Sequence, residues 1–427
     1  MSAELRATSA EGAGSGKISP RSSPMARRAL AVLTLINMFN YVDRFVVPPL
    51  VESLRTSDLH LNDVQAGLLG SGFIIVYMAT SPLFGILGDR GKRTGLIALG
   101  VGIWSLATTL GGFARSFLAL FFARASVGIG EAAYGTIAPS LLADYFPKSK
   151  RGRVFAVFFA AIPIGSALGY VIGGLVDQHF GWRAAFFVAG APGLLLAFLI
   201  LGLREPPRGA QDETDADVEA GAAKAGGWAS YGRLLRNRSY LLTVLGYAAY
   251  TFALGGLAFW MPTFLERVRG VSKAAATVQF GGIVVATGFV GTFAGGWIGD
   301  YFLPRARHAY LLVSGIATLV AVPFCIGALV SPTPSVYLTS LVIAELLIFA
   351  STGPINSAIV NYVAPGERAT AVALSIFGIH FLGDVPSPTM IGWISKASSL
   401  DRAVLIVPVA VLIGGIVWTY GALRTDS

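Results

Sequence analysis

The sequence predicts an all-α membrane protein of 12 transmembrane helices, built as two six-helix pseudo-repeats. Three observations carry that expectation. Of the 427 residues, 54% are apolar and only 13% charged, with a mean hydropathy of +0.67, so there is too little polar surface to cover a soluble globule of this length. The chain also divides into 12 apolar runs, each near the roughly 20 residues that a bilayer crossing needs. These runs are continuous rather than alternating with period two, which selects helices over a β-barrel. Finally, the two halves repeat one another. Gly85-Ile-Leu-Gly-Asp89 answers Gly296-Trp-Ile-Gly-Asp300, Glu131 and Pro139 answer Glu345 and Pro354, and Asp144-Tyr145 with Arg151 answers Asn361-Tyr362 with Arg368, the offset drifting only from 211 to 217. A six-span duplication around a central loop is the parallel repeat that builds many secondary transporters, with substrate held near the midplane between the halves.

Taken in order, residues 1–26 are rich in Ser, Gly and Ala, too polar for a signal peptide, and are expected to form a disordered cytoplasmic tail. Within them, GAGSGKIS (12–19) imitates a phosphate loop, but Glu11 stands where its first glycine belongs and Ile18 where Ser or Thr should follow Lys17, so no ATPase is implied. An N-terminal six-helix bundle is expected over 27–203, with spans at roughly 29–51, 63–87, 95–113, 117–143, 154–177 and 184–203. Residues 204–239 form a cytoplasmic linker that passes from REPPRG through an acidic stretch, Asp212 to Glu219, to a basic and aromatic segment suited to a membrane surface. The C-terminal bundle follows over 240–424, with spans at roughly 240–265, 276–301, 309–330, 335–362, 369–394 and 403–423.

The pI near 9.7 does not point to nucleic acid, because the basic residues mark one side of the membrane. With the N-terminus inside, about 22 Lys and Arg fall in cytoplasmic segments and about 8 in external loops, which places both termini in the cytoplasm. The lone Cys325 excludes an intramolecular disulfide. Four histidines in all, no metal-ligand cluster and no nucleophile beside a base argue against an enzyme, a metal site or a cofactor. A membrane-embedded lipid-modifying enzyme and a substrate sensor are thus the weaker alternatives, the latter for want of a signalling domain.

Two spans carry charge where hydrocarbon is expected: Asp43 and Arg44 in the first, Arg124 and Glu131 in the fourth. Each costs about 2.5 to 3.5 kcal/mol at the bilayer centre even on lenient scales, so they persist only if they pair, face water or perform work. Asn37, Asn40 and Arg44 share a helix face, as do Arg124, Gly128, Glu131 and Gly135. Counted at about 1.5 Å per residue, the four charged groups lie at depths where they can meet. One reading makes them structural ion pairs fastening span 1 to span 4, though buried pairs often cost as much to desolvate as they return. The other makes Asp43 and Glu131 titrating acids that release Arg44 and Arg124 to an anionic substrate when protonated. Span 11 carries His380 and Asp384 four residues apart, followed by Pro386 and Pro388, and is either a second polar site or a helix broken by its prolines. Glu345 has no basic neighbour in its span and is either protonated or paired across helices. Pro163, Gly165, Gly169, Gly173 and Gly174 give span 5 a small-residue face for a close helix partner.

These residues resemble the major facilitator superfamily over nearly all of 27–424. Gly85-Ile-Leu-Gly-Asp89-Arg90-Gly91-Lys92-Arg93 resembles its signature between spans 2 and 3, one residue short between Arg90 and Gly91. Within the superfamily, FNYVDR (39–44), GEAAYGTIAPSLLADYF (130–146) and PIGSALGYVIGG (163–174) resemble the Spinster family. The resemblance implies the major facilitator fold and a secondary active transporter, working by alternating access and coupled to protons. Its substrate would be an amphipathic, anionic lipid-like molecule such as a lysophospholipid or sphingosine phosphate. A drug or organic-anion exporter of the same fold is the alternative. By resemblance, Asp43, Arg44, Arg124 and Glu131 match the family's intramembrane charged positions in spans 1 and 4, and Asp89 matches the gating aspartate of the signature. Their chemistry makes Asp43 and Glu131 the expected proton-coupling pair and Arg44 and Arg124 the expected substrate-binding residues, with Arg90, Arg93 and Asp300 expected to join Asp89 at the gates. Glu345, His380 and Asp384 remain secondary candidates. A monomer in a bacterial inner membrane is expected, with substrate, protons and membrane lipids as its partners.

Overall fold

The computed structural model describes residues 24–146, 148–207, 210, 228–306, 308–363 and 368–424. The expected tail and most of the linker lie outside these residues, as do the side chains of Asp89, Arg90, Arg151 and Arg368. The first half comprises α1 (Pro24–Val46), a 3-10 turn (Pro48–Leu50), a short α2 (Val51–Thr56), α3 (Asp63–Arg90), α4 (Arg93–Gly111), α5 (Phe117–Tyr145), α6 (Lys148–Phe180) and α7 (Trp182–Leu201). After a surface helix α8 (Trp228–Leu234), the second half comprises α9 (Arg238–Arg267), α10 (Lys273–Phe302), α11 (Ala309–Val330), α12 (Pro334–Phe349), α13 (Thr352–Asn361), α14 (Arg368–Ile379), α15 (Pro386–Ala397), α16 (Leu400–Ala403) and α17 (Ile406–Arg424).

Helix starts sit where side chains satisfy orphan amides. Asn62 opens α3 with a reciprocal capping box: its Oδ1 accepts from the Gln65 amide at 3.0 Å, and Gln65 Oε1 accepts from the Asn62 amide at 2.9 Å. Ser116 and Asn237 cap α5 and α9 in the same one-sided way, accepting from the amides of Ala119 and Tyr240.

Among the described residues, eleven helices are long and apolar enough to cross a membrane, and the twelfth expected crossing is the one the sequence draws as a single helix over 369–394. There α14 gives way to a π turn over His380–Asp384 before α15 resumes. Pro386 has no N–H to return to the preceding turn, and the Val385 amide instead donates five residues back to the His380 carbonyl at 3.1 Å. Of the two readings for this segment, the break is present, and it also carries the polar pair. Span 10 is likewise divided, into α12 and α13.

Within the first half, α1 lies against α6 as the small-residue face predicts. A Cβ on Gly169 would sit 2.7 Å from the Val42 carbonyl oxygen, so only glycine admits this approach. The halves meet along two seams, α3 against α15 and α6 against α10. At the end opposite the termini the first seam is tight: a side chain on Gly67 would strike the backbone of Pro388 and Thr389. At the end carrying the termini, Gly85 on α3 and Gly296 on α10 have nothing within 4 Å of a built Cβ. Among the described residues, every ion pair joining the halves lies at the tight end: Arg267 to Glu52 and Asp63, and Lys273 to Asp177.

Candidate substrate and proton site

The four charged residues of α1 and α5 meet in the crossed pairs Arg44 with Glu131 and Arg124 with Asp43. Arg44 donates through Nη2 at 2.7 Å and Nε at 3.1 Å to a single oxygen, Glu131 Oε2. Glu131 Oε1, buried, has no hydrogen-bond partner. Arg124 Nη1 donates to Asp43 Oδ1 at 3.0 Å, and Thr108 Oγ1 on α4 donates to Asp43 Oδ2 at 2.5 Å. Asp43 is fully buried, and its two oxygens are thus both engaged.

The two arginines differ in kind. Arg124 also donates to the main-chain carbonyls of Asp43 at 3.2 Å and Arg44 at 2.9 Å. Those carbonyls belong to the last turn of α1, where helix geometry leaves acceptors without internal partners and the dipole favours a cation. Arg124 is therefore a cap that fixes the end of α1, and its side chain is only 4% exposed. Arg44 remains 23% exposed at its side chain and projects into a cavity of about 160 Å³ between the halves. Its guanidinium lies 5.0 to 5.1 Å from the ring centres of Tyr41, Phe73 and Tyr77, an aromatic enclosure suited to a cation that has lost part of its water.

The far wall of that cavity comes from the broken crossing. His380 Nδ1 and the Asp384 carboxylate lie 2.9 Å apart, and the His380 ring meets the Tyr77 ring edge-on at 6.4 Å. The π turn aims both side chains at the space that Arg44 faces from the other half. A second cavity, of about 650 Å³, shares Tyr41, Phe45, Gly255 and Asp384 with the first, and is apolar along Phe159, Phe289, Phe293 and Phe349. Its volume falls within the ~300 to 1,000 Å³ usual for small-molecule sites. Glu345 lies in its wall, 1% exposed, accepting from Thr287 Oγ1 at 3.1 Å and making no ion pair among the described residues.

The gate residues separate. Asp89 and Arg90 end α3, with their side chains outside the described residues. Arg93 is buried, donating to Asp144 Oδ2 at 2.5 Å, Glu205 Oε1 at 2.8 Å and the Pro206 carbonyl at 3.2 Å, which ties α4 to α5 and to the start of the linker. Asp300 accepts from the Tyr310 hydroxyl at 2.7 Å within the second half. Sequence reasoning missed the hydroxyl of Thr108, the aromatic enclosure and the ion pairs at the tight end. The i, i+4 spacing of Phe73 and Tyr77 was the available signal for the enclosure. Nothing local marks Thr108, which reaches Asp43 from 65 residues away.

The Major Facilitator Superfamily matches residues 33–388. The chain is 36% identical over 378 residues to Protein spinster of Drosophila melanogaster, covering 86% of this chain and 62% of that protein's length. It is 34% identical over 424 residues to Sphingosine-1-phosphate transporter SPNS2 of Mus musculus, covering 92% and 76%. Among solved structures, it resembles a bacterial homolog to the human lysosomal transporter Spinster in an inward-facing and unoccupied conformation, with a TM-score of 0.85, 26% identity, and coverage of 94% of this chain and 98% of the other. The chain belongs to the major facilitator superfamily and, within it, to the Spinster family: it is a multi-pass membrane transporter and not an enzyme.

Proposed function

We propose that this transporter moves an amphipathic, anionic lipid-like molecule by alternating access, in exchange for or together with protons. The observation that carries the proposal is the placing of Arg44, a partly open guanidinium in the cavity of about 160 Å³ that shares Tyr41, Phe45, Gly255, Ala258 and Asp384 with the apolar cavity of about 650 Å³. A phosphate or carboxylate fits the guanidinium fork, and an alkyl chain fits the phenylalanine-lined trough. Burying that chain contributes about 0.8 kcal/mol per methylene, which a small polar anion would forgo. Support also comes from the relative named for sphingosine-1-phosphate.

Proton coupling would act through the crossed pairs. Glu131 holds Arg44 through one oxygen and leaves the other bare, so protonation at Oε1 adds a donor and removes the charge that occupies Arg44. The freed guanidinium then takes the substrate anion. Asp43 is the second candidate carrier, held more firmly by Arg124 and Thr108, while Arg124 keeps Arg44 in place and adds positive potential to the same cavity. Basic-residue asymmetry supports termini on the cytoplasmic side, in this reading of a bacterial inner membrane, so that the loose end, beside Asp89 and Asp300, would face the cytoplasm. The working unit is one chain, since the proposed path lies between its own halves.

The test is native mass spectrometry for co-purifying lipid, followed by uptake of that compound into proteoliposomes. Uptake that is saturable and lost in Arg44→Ala supports the proposal. Equal uptake of a tailless anion overturns the amphipathic substrate.

A further inference from the structure

At the tight end of the molecule an open cavity gathers more cations than carboxylates in its lining. Arg267, on α9, is the latch: its guanidinium donates at 2.7 and 3.0 Å to the two oxygens of Asp63 and at 2.9 Å to Glu52 Oε2, both in the first half. Glu52 is shared, its other oxygen accepting from Arg55 Nε at 2.9 Å. Lys396 at the end of α15 lies beside them with no ion-pair or hydrogen-bond partner among the described residues, and His60 stands exposed next to it. His60 is held at φ 44°, the single non-glycine residue with positive φ among the described residues, a conformation that costs energy unless its surroundings require it. Arg55, His60, Asn62, Asp63, Arg267 and Lys396 together line an open cavity of about 360 Å³.

The geometry points to this cavity as an anion site whose occupant unlatches the halves: a phosphate or carboxylate presented from the side opposite the termini binds Lys396, Arg55 and His60 and takes the Arg267 fork from Asp63. Three permanent cations, Arg55, Arg267 and Lys396, line this cavity with one carboxylate, Asp63; Glu52 serves both arginines, and Glu266 and Asp58 lie within electrostatic reach of Arg267 and His60. An arriving dianion offers oxygens in the bidentate arrangement that Asp63 now offers. Losing Arg267 leaves Asp63 held only by Ser395 Oγ, at 2.5 Å on α15. The seam between α3 and α15 then opens where Gly67 meets Pro388. This site lies outside the central cavity, and its role does not depend on which substrate that cavity takes.

The experiment uses Gln178→Cys with Thr333→Cys, exposed positions on opposite halves at this end, spin-labelled in nanodiscs for distance distributions. Buried Cys325 stays as it is. Potassium phosphate should populate a longer distance that potassium chloride at equal ionic strength does not. Lys396→Gln, and His60→Asn, which keeps a residue tolerant of positive φ, should each raise the half-effective phosphate concentration about fivefold. A second arm compares nanodiscs containing lysophosphatidic acid with others containing lysophosphatidylcholine. Opening by soluble phosphate assigns the site to a free anion, and opening only by lysophosphatidic acid that persists in Arg44→Ala and weakens in Lys396→Gln assigns it to a lipid headgroup; either supports the inference. Opening by lysophosphatidic acid that Arg44→Ala abolishes belongs to the central cavity and overturns it. No lengthening with either probe, an equal response to chloride, or an unchanged response in both variants overturns it.

Discussion

Replacing Arg124 with Lys should separate the two intramembrane arginines, which look equivalent in sequence. The parent side chain reaches three acceptors in two directions: Asp43 Oδ1 at 3.0 Å, and the carbonyls of Asp43 at 3.2 Å and Arg44 at 2.9 Å. An ammonium on a single stem keeps the carboxylate and forfeits the two carbonyls, at a side chain only 4% exposed. Bonds to a charged donor are worth about 1.5 to 3 kcal/mol each, so two of them, partly recovered by relaxation, come to roughly 3 kcal/mol. For a half-molecule of this size that is a fall in unfolding midpoint of roughly 6 to 12 °C. Arg44→Lys should behave oppositely. Its one acceptor among the described residues is Glu131 Oε2, which Lys can still reach, so the midpoint should hold while affinity for an anionic amphipath drops about tenfold through the lost fork. Thermal unfolding in one detergent, with ligand binding measured well below both midpoints, reads the two effects separately. If Arg124→Lys melts with the parent, the capping of α1 carries no weight.

Glu345→Gln should fold and melt like the parent and leave any response to a pH gradient intact, because Gln can accept from Thr287 as the carboxyl does; loss of the gradient response in transport assays would make Glu345 a carrier. Pro386→Ala restores a backbone donor and should let the π turn over His380–Asp384 relax toward α-helix, withdrawing His380 from Tyr77 and lowering substrate affinity in equilibrium binding. Gly67→Ala places a methyl against the Pro388 backbone, its carbonyl carbon at 2.7 Å, and should shift the distance distribution between Gln178 and Thr333 labels toward separation without any added anion. Asp89→Asn should move apart the ends of α5 and α13 on the side of the termini if that carboxylate latches the opposite state, read by the same method.

The fold was legible because its determinants are local and repeated. Length, hydropathy and the GxxGD landmarks at Asp89 and Asp300 depend on nothing beyond neighbouring residues, so 12 crossings and their pairing into halves follow directly. The meeting of Asp43, Arg44, Arg124 and Glu131 was legible for a different reason, since hydrocarbon leaves buried charges few partners. Which arginine pairs with which acid was not, because that is decided by the last turn of α1, whose carbonyls claim Arg124 and leave Glu131 to Arg44. The latch escaped for the converse reason. Arg267, Glu52 and Asp63 sit at span ends, where charge is ordinary, and only the contact between halves gives them a role. The π turn required knowing that Val385 bonds five residues back, a choice Pro386 permits and does not by itself specify.

The most direct measurement is accumulation of an anionic lysophospholipid in proteoliposomes under an imposed pH gradient, comparing the parent with Glu131→Gln and Asp43→Asn. The parent should accumulate the lipid in one gradient direction and stop when the gradient is collapsed. Glu131→Gln, fixed neutral beside Arg44, should lose accumulation while still exchanging the lipid down its own gradient, and Asp43→Asn should lose less. A parent indifferent to the gradient, or a Glu131→Gln variant with a full gradient response, would contradict a proton exchanged at Arg44's partner.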